Sequence, residues 1–491
     1  MAPTVELDTT LQELYAVDNP DGPEPILAMA IPSAVVQLTS SLPLSTKFVS
    51  QAPRSIPVGR DLMARICLGT GAQTHAFMAG KMSVVLFDPD WAEYEIEVEE
   101  ARDPRRRRIH QVDALQVFGQ LEKTQQPNVT FVVSPSDIKV TTPETPVAVM
   151  FPMDCLAQLP LLLAPESHYR LLSKVGLVAS TLPSPPSQVI DPDIGLDQVH
   201  DDGLVEAAVA HMMGPIVDRA APFVIKLPQS NGGQGVFVIE KDSERQEAVE
   251  VLTPEVKRMI QALGESNAHL RPASLVVQEL IQGPVVSLSL FITRAGRPIF
   301  IACAEQYIDA HGLWGGSFVD YGRQDQLRDH YEDTASKVAR VLHQEGYYGP
   351  VGVDVVTSPD QTQLVIDLNV RVPASYPLGF LKRHFALGRS LPIAVVLYPL
   401  PLVCSRAEFE RAFDQEYQAG RIVICGWCHG REGDEGHGGT EGNEGNEGNE
   451  GNVRYSIASV VLGGESLAQV RALMERINAH RFSKRKEGTV R

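Results

Sequence analysis

The run FVIKLPQSNGGQGVFVI sets Lys226 on a β-rich segment and follows it with Gly232, Gly233 and Gly235. Glycines at this spacing let successive backbone N–H groups turn inward as an anion-binding nest, and a lysine on the incoming strand adds a fixed positive charge. Together they suit the phosphates of a nucleotide. Taken alone, the run fits a hairpin with a flexible glycine turn equally well. It is neither a Walker loop, which ends in Gly-Lys-Ser/Thr, nor a dinucleotide fingerprint opening a helix.

A second run, GPVGVDVVTSPDQTQLVIDLNVR, has two apolar strands flanking the turn signal Ser-Pro-Asp. A turn centred near Asp360 and Gln361 sets Asp354 opposite Asp367, and side-chain alternation puts Asp367, Asn369 and Arg371 on that same side. Two carboxylates, an amide oxygen and a guanidinium make a poor apolar core. They make a good platform for magnesium and phosphate, because magnesium takes a few carboxylate oxygens plus nucleotide phosphates and arginine suits a transferring phosphoryl group. A polar sheet face open to water is the plainer alternative.

Between these runs, SLVVQELIQGPVVSLSLFI reads as two strands broken at Gln-Gly-Pro. A short connection between two lobes could offer backbone groups to an adenine edge, and a plain hairpin accounts for the residues as well.

The elements that must position these groups follow from periodicity. Residues 1–80 are proline-rich and irregular, with an apolar patch SAVVQLTSSL that fits a strand or a helix. From residue 81, SVVLF, DALQVFGQLEK, NVTFVVS and VAVMFPM alternate strand and helix patterns, which predicts an α/β domain with a doubly wound parallel sheet over 81–164. ESHYRLLSKVGL reads as a helix with the proline-rich exit TLPSPPS. From Phe223 to about Val403 the sequence is strand-rich, within a unit expected over 165–405. Over 406–491, RAEFERAFDQEYQAG reads as a helix, RIVICGW and VRYSIASVVL as strands, and SLAQVRALMERINAH as a closing helix. The segment 432–452, with its Glu-Gly-Asn copies, is expected to be a disordered insertion.

Acidic residues outnumber basic ones by 61 to 43, for a formal charge of −18 over 491 residues. That balance argues against nucleic acid or an anionic membrane as partner. Arg105 to Arg108 follow several glutamates and read as a solvated charged turn. The run from Ser390 to Val403 contains three prolines and falls short of the roughly 20 residues a membrane helix needs. The N-terminus has no basic region followed by an apolar stretch, so a cytoplasmic protein is expected. Cys425, Cys428 and His429 spell the c-type haem attachment pattern CGWCH, but without an export route they read as strand-end residues with no ligand.

In order, the chain presents an LLxxxGL helix, a strand lysine with a glycine loop, a Gln-Glu-Leu-Ile segment, an Asp, and Asp-x-Asn-x-Arg. This series, over about 165 to 400, resembles the ATP-grasp superfamily, and the Asn-x-Arg form looks like its carboxylate-amine ligases. The resemblance implies an α+β two-lobed ATP-grasp domain behind the N-terminal domain, with ATP and two Mg2+ ions, or Mn2+, as cofactors. On it, Lys226 would hold the α- and β-phosphates, and Gln229, Ser230, Asn231, Gly232, Gly233, Gln234 and Gly235 would close over the phosphates. Gln278, Glu279, Leu280 and Ile281 would contact adenine, Asp354, Asp367 and Asn369 would bind metal, and Arg371 would steady an acyl phosphate.

The chain departs from the family pattern in three places. Asp367 replaces the usual Glu, Val285 stands where relatives place a ribose-binding acid, and no early lysine precedes the LLxxxGL helix, where Arg170 or His168 could substitute. The stretch with Glu305, His311 and Trp314 lies where relatives build the acceptor pocket. The expected activity is ATP-dependent ligation of a small-molecule carboxylate and amine by a chain that could form a homo-oligomer. A small-molecule kinase and a nucleotide-binding module without catalysis remain as alternatives.

Overall fold

The computed structural model of the chain describes residues 3–54, 58–88, 107–142, 144–308, 314–429 and 455–487. Among these residues, sixteen strands fall into three sheets that follow one another along the chain. The first contains β1 (Ile26–Met29), β2 (Ser83–Phe87), β3 (Asn128–Val132) and β4 (Val147–Val149), in the order β3-β2-β1-β4 with every neighbour parallel. β1 is buried at all four positions. Leu27 and Met29 pack with Ala72, Ala76 and Val117 on one face, while Ile26 and Ala28 pack with Leu38, Leu42 and Leu68 on the other.

The region read as irregular, 1–80, therefore supplies a central strand of this sheet, together with helices over 11–16 and 60–76. The sequence hides β1 because a short strand covered on both faces has no apolar/polar alternation, and prolines crowd its flanks. The patch SAVVQLTSSL forms neither a strand nor a helix. Ser33 Oγ accepts from the N–H groups of Val35 and Val36, and Leu38 and Leu42 cover the sheet from a turn-rich segment.

The second sheet contains β5 (Ser187–Ile190), β6 (Phe223–Lys226), β7 (Val236–Ile239) and β8 (Leu275–Glu279), antiparallel in the order β5-β8-β6-β7. Helices Asp202–Val217 and Asp242–Gln261 cover it, closing a core that runs from Ile190 to Val277. This is the small lobe.

The third sheet is antiparallel, in the order β13-β12-β9-β10-β11-β14-β16-β15. Its strands are β9 (Val285–Ile292), β10 (Pro298–Ile308), β11 (Trp314–Asp320), β12 (Gly349–Thr357), β13 (Gln363–Asn369), β14 (Ile393–Leu402), β15 (Ile422–His429) and β16 (Ser456–Gly464). The proline-containing apolar run weighed above against a membrane helix is β14. Among the described residues no helix is long and apolar enough to cross a membrane.

β15 and β16 lie at the far edge of the large sheet, and β15 is tied to the N-terminal unit. His429 donates its N–H to Asp113 Oδ2 at 3.0 Å and holds the same carboxylate through Nδ1 at 2.7 Å. Cys425 and Cys428 are buried on that strand and form no disulfide, and Cys428 Sγ lies 3.8 Å from His110 Nδ1. The segment 432–452 lies outside the described residues.

Two stretches read as single helices are broken. ESHYRLLSKVGL divides at Ser173, which leaves the helical region (φ −77°, ψ 137°) and caps the following turn by accepting from Val175 N–H. RAEFERAFDQEYQAG divides at Phe413. The first break positions the site.

Candidate active site

β12 and β13 pair as the turn chemistry predicts. Asp354 faces Asp367, Val353 faces Leu368, and the turn closes through Ser358 N–H to Thr362 O at 2.9 Å. Asp354 is half-buried, with one enclosed carboxylate oxygen that has no partner among the described residues. Burial first, and the neighbouring Asp367 second, push its carboxyl up to about 6 against hydrogen bonds from Ser287 and Gln306. An enclosed carboxylate oxygen without a partner is what a hard cation would satisfy.

Among the described residues no three His, Cys, Asp or Glu side chains cluster as a metal site. The donor set is two carboxylates and the amide of Asn369, so phosphate oxygens would have to complete a magnesium shell. Asn369 Oδ1 already accepts from Arg371 Nη2 at 2.9 Å, and Asp367 Oδ1 meets Lys174 Nζ at 2.8 Å. The residues fit a cation that arrives with a nucleotide.

Lys174 is the principal residue missed in the sequence. It begins the helix Lys174–Ala179 after the break at Ser173, is 5% exposed, and points its ammonium between Asp367 and the carbonyl of Ser230, 3.3 Å away. A serine within a helical run, able to cap a new helix, was the available signal. The two substitutes named for the early lysine go elsewhere. Arg170 is at the surface, paired with Glu345 at 2.5 Å. His168 is buried with Nε2 against Val370 O at 2.8 Å, and burial lowers its pKa to about 4, so it stays neutral.

Lys226 ends β6 on the small lobe and reaches across to Ile366 O on β13 at 2.7 Å. Burial lowers its ammonium to about 8, opposed by Asp367 and Asp354 and reinforced by Lys174. The glycine segment joins β6 to β7 as a hairpin in which Lys226 pairs with Val236. Gly232 and Gly233 have φ of 58° and 79°, the left-handed region that glycine enters without penalty. A Cβ on Gly235 would come within 2.5 Å of Ser230 Cβ, so only glycine fits there.

Gln229 does not face that loop with its side chain. Its Nε2 donates to Tyr169 O at 2.6 Å, and its N–H donates to Gln51 Oε1 at 2.8 Å. Gln51 also donates its own N–H to Gln229 O and its Nε2 to Pro272 O, and Arg54 donates to Val236 O. A strap from the N-terminal region, which the sequence left without a role, thus holds the base of the glycine loop.

β8 and β9 belong to different sheets, so the Gln-Gly-Pro segment is a connection between lobes and not a hairpin turn. Gly283 passes β12 so closely that a Cβ would sit 1.9 Å from Thr357 O. The side chain of Gln278 donates to Ser187 Oγ at 3.0 Å inside the small sheet. Glu279 is exposed and Leu280 and Ile281 are half-buried at the junction, leaving the backbone as the part able to meet a base. Val285 is 38% exposed on the same approach.

Arg371 follows β13. Nη1 donates to Val372 O at 3.1 Å, its Cζ lies 4.9 Å from the centre of the Phe151 ring, and its buried Nε has no partner among the described residues. Burial lowers its pKa to about 10, against the pull of Asp367 and Asp354, and it remains a cation at neutral pH. Glu305 is exposed and pairs with Arg323 at 3.5 Å. His311 lies outside the described residues.

The arrangement is a seam. Lys174, Asp354, Asp367, Asn369 and Arg371 come from the large body, and Lys226, Ser230 and the glycines come from the small lobe. Residues 209–375 match the family model described as an ATP-grasp domain. Several solved structures resemble the chain at a distance. An N5-carboxyaminoimidazole ribonucleotide synthetase in complex with ADP is 13% identical, covering 84% of this chain and 94% of that one at a TM-score of 0.43. The N5-carboxyaminoimidazole synthetase of Staphylococcus aureus with ADP is 12% identical, with 93% and 97% covered at 0.40. The L-amino acid ligase of Bacillus licheniformis is 12% identical, with 93% and 98% covered at 0.42. No curated protein sequence is detectably similar to this chain.

Proposed function

Starting from a chain that carries an ATP-grasp domain, we propose that it is an ATP-dependent ligase that activates a carboxylate as an acyl phosphate and passes it to an amine. The observation that carries this reading is the convergence at the lobe seam of Lys174, Lys226, Asp354, Asp367 and Arg371 under a glycine loop, with Arg371 keeping an unpartnered Nε–H.

In this reading Lys174 and Lys226 hold the polyphosphate, and the backbone of residues 280–281 meets the base. Magnesium, held by Asp354, Asp367 and Asn369, would neutralise phosphate charge. A carboxylate oxygen takes the γ-phosphoryl group of ATP, which releases ADP. Arg371 fixes the carboxylate beforehand and stabilises the acyl phosphate afterwards, because charge builds there in the transition state. The amine nitrogen then attacks the acyl carbon, phosphate leaves with the bonding pair, and the amine proton passes to solvent. The chain's own groups bind, orient and neutralise, and none becomes covalently attached.

Hydroxylamine tests the reading, since it intercepts an activated acyl group. With an accepted acid and ATP, the products expected are a hydroxamate and ADP. AMP as the nucleotide product would rule the mechanism out, and ADP formed without any hydroxamate would favour transfer to a hydroxyl acceptor.

A further inference from the structure

The two lysines of the seam are held differently in the free chain. Lys226 donates to a backbone carbonyl, that of Ile366, at 2.7 Å. Lys174 lies on a carboxylate, with Nζ 2.8 Å from Asp367 Oδ1 and 3.3 Å from Ser230 O. The same oxygen of Asp367 accepts the N–H of Leu368 at 2.9 Å, so it has two donors already. Asn369 Oδ1 is held in turn by Arg371 Nη2 at 2.9 Å. Asp367 and Asn369, both read as metal ligands, are thus covered by the chain's own cations, while Asp354 keeps an enclosed oxygen without a partner among the described residues.

The consequence is a mutual block. Lys174 is 5% exposed, and an ammonium buried to that degree cannot give up its carboxylate without a replacement anion, because an unpaired buried charge is costly. A divalent ion arriving alone on the other oxygen of Asp367 would share one carboxylate with that ammonium, and like charges so close repel strongly where water is scarce. A polyphosphate arriving alone would draw Lys174 away and leave a bare carboxylate beside its own negative charge. Arriving together, the two exchange partners. The ammonium passes to phosphate oxygens, Asp367 passes to the metal, and every charge stays neutralised.

We propose, taking the nucleotide and metal occupancy of the seam from the ligase reading above, that Lys174 is a built-in substitute cation. It occupies Asp367 until a nucleotide takes the ammonium, so the free chain binds a divalent ion weakly and admits metal and nucleotide as a pair. The coupling is reciprocal, since each ligand removes the obstacle to the other. Free Mg2+ is thereby kept from loading the site ahead of the nucleotide.

The test uses the full chain without nucleotide, acid or amine, with Mn2+ as the probe and its binding followed by electron paramagnetic resonance. Lys174→Met should lower the Mn2+ Kd at least tenfold relative to the wild type. Lys226→Met removes a charge from the same seam but uncovers no carboxylate, and should lower it less than threefold. Adding Asp367→Asn to Lys174→Met should abolish the gain, which places the ion on Asp367. Lys174→Gln, which keeps a donor toward Ser230 O, serves should the methionine variant fail to fold. Wild-type Mn2+ binding as tight as that of the Lys174 variants, equal gains in both lysine variants, or a gain that survives Asp367→Asn would overturn the proposal. Ligation is decided separately by hydroxamate formation. The Mn2+ gain without any hydroxamate would uphold the substitute cation and overturn the ligase reading, and hydroxamate without the gain would do the reverse.

Discussion

The small lobe keeps a core to itself, from Ile190 to Val277, whereas the N-terminal sheet and the large sheet share one that runs from Val5 to Ile477. A body with its own core can shift as a unit, while two sheets that share one cannot separate without exposing it. The candidate site lies on the boundary between the two bodies. Its acids and Arg371 are on the shared body, where register is rigidly set. Its glycine loop and Lys226 are on the separable lobe, where closure over a nucleotide is mechanically open. Side chains and backbone bridge the boundary at a few points, among them Lys226 to Ile366 O, Lys174 to Ser230 O, and the strap at Gln51.

The largest effect should come from the rigid side. Asp367→Asn removes a carboxylate that faces Asp354 and pairs with Lys174, and Arg371→Lys replaces a two-pronged donor by a point charge. Each should lower kcat by about 100-fold or more, with a much smaller change in ATP affinity, because charge neutralisation counts most in the transition state. Steady-state kinetics beside nucleotide calorimetry would show the split. Full activity in Asp367→Asn would place the chemistry elsewhere.

Acid should separate the two bodies next. His75, His110, His168 and His384 lie in the N-terminal and large parts, and burial lowers their pKa values to about 3, 4, 4 and 4. The histidines of the small lobe, His200, His211 and His269, are exposed. Between the ordinary value near 6.5 and these lowered values the unfolded chain binds more protons than the folded one. The stabilisation is therefore complete above pH 6.5 and is lost as pH falls toward 4, at up to roughly 1.4 kcal/mol per pH unit for each histidine. Hydrogen exchange at pH 7 and pH 5 should show the shared body losing protection while the β5 to β8 core retains it. Equal loss in both would contradict the comparison.

On the movable side, Lys226→Ala should weaken ATP binding by about 10-fold or more while leaving the fold intact. Because its ammonium is lowered to about 8, the free protein loses that charge as pH rises through 8. ATP binding near that pH should then take up a proton, which calorimetry in buffers of different ionisation enthalpy would detect, and Lys226→Arg should remove the uptake.

The strap gives the smallest effect. Gln51→Ala leaves the N–H of Gln229 and the carbonyl of Pro272 without their partner, at a cost of about 1–3 kcal/mol for buried groups. It should speed hydrogen exchange across 229–235 more than elsewhere. Unchanged exchange there would mean the strap does not restrain the loop.

Where turn chemistry and glycine spacing carried the signal, the sequence was enough. The hairpin at 354–369 was legible because turn residues and period-two alternation fix register within one short stretch, and the glycines of 232–235 because two of them require a left-handed backbone. The tertiary structure decided the rest. β1 is defined by what covers both its faces, and Gln229 and Gln278 have their amides turned into other contacts. Arg170 is drawn off to Glu345, while Lys174 reaches Asp367 across 193 positions of chain only after Ser173 breaks the helix. Pairings of that kind depend on how the sheets and lobes pack, and no spacing along the chain encodes them.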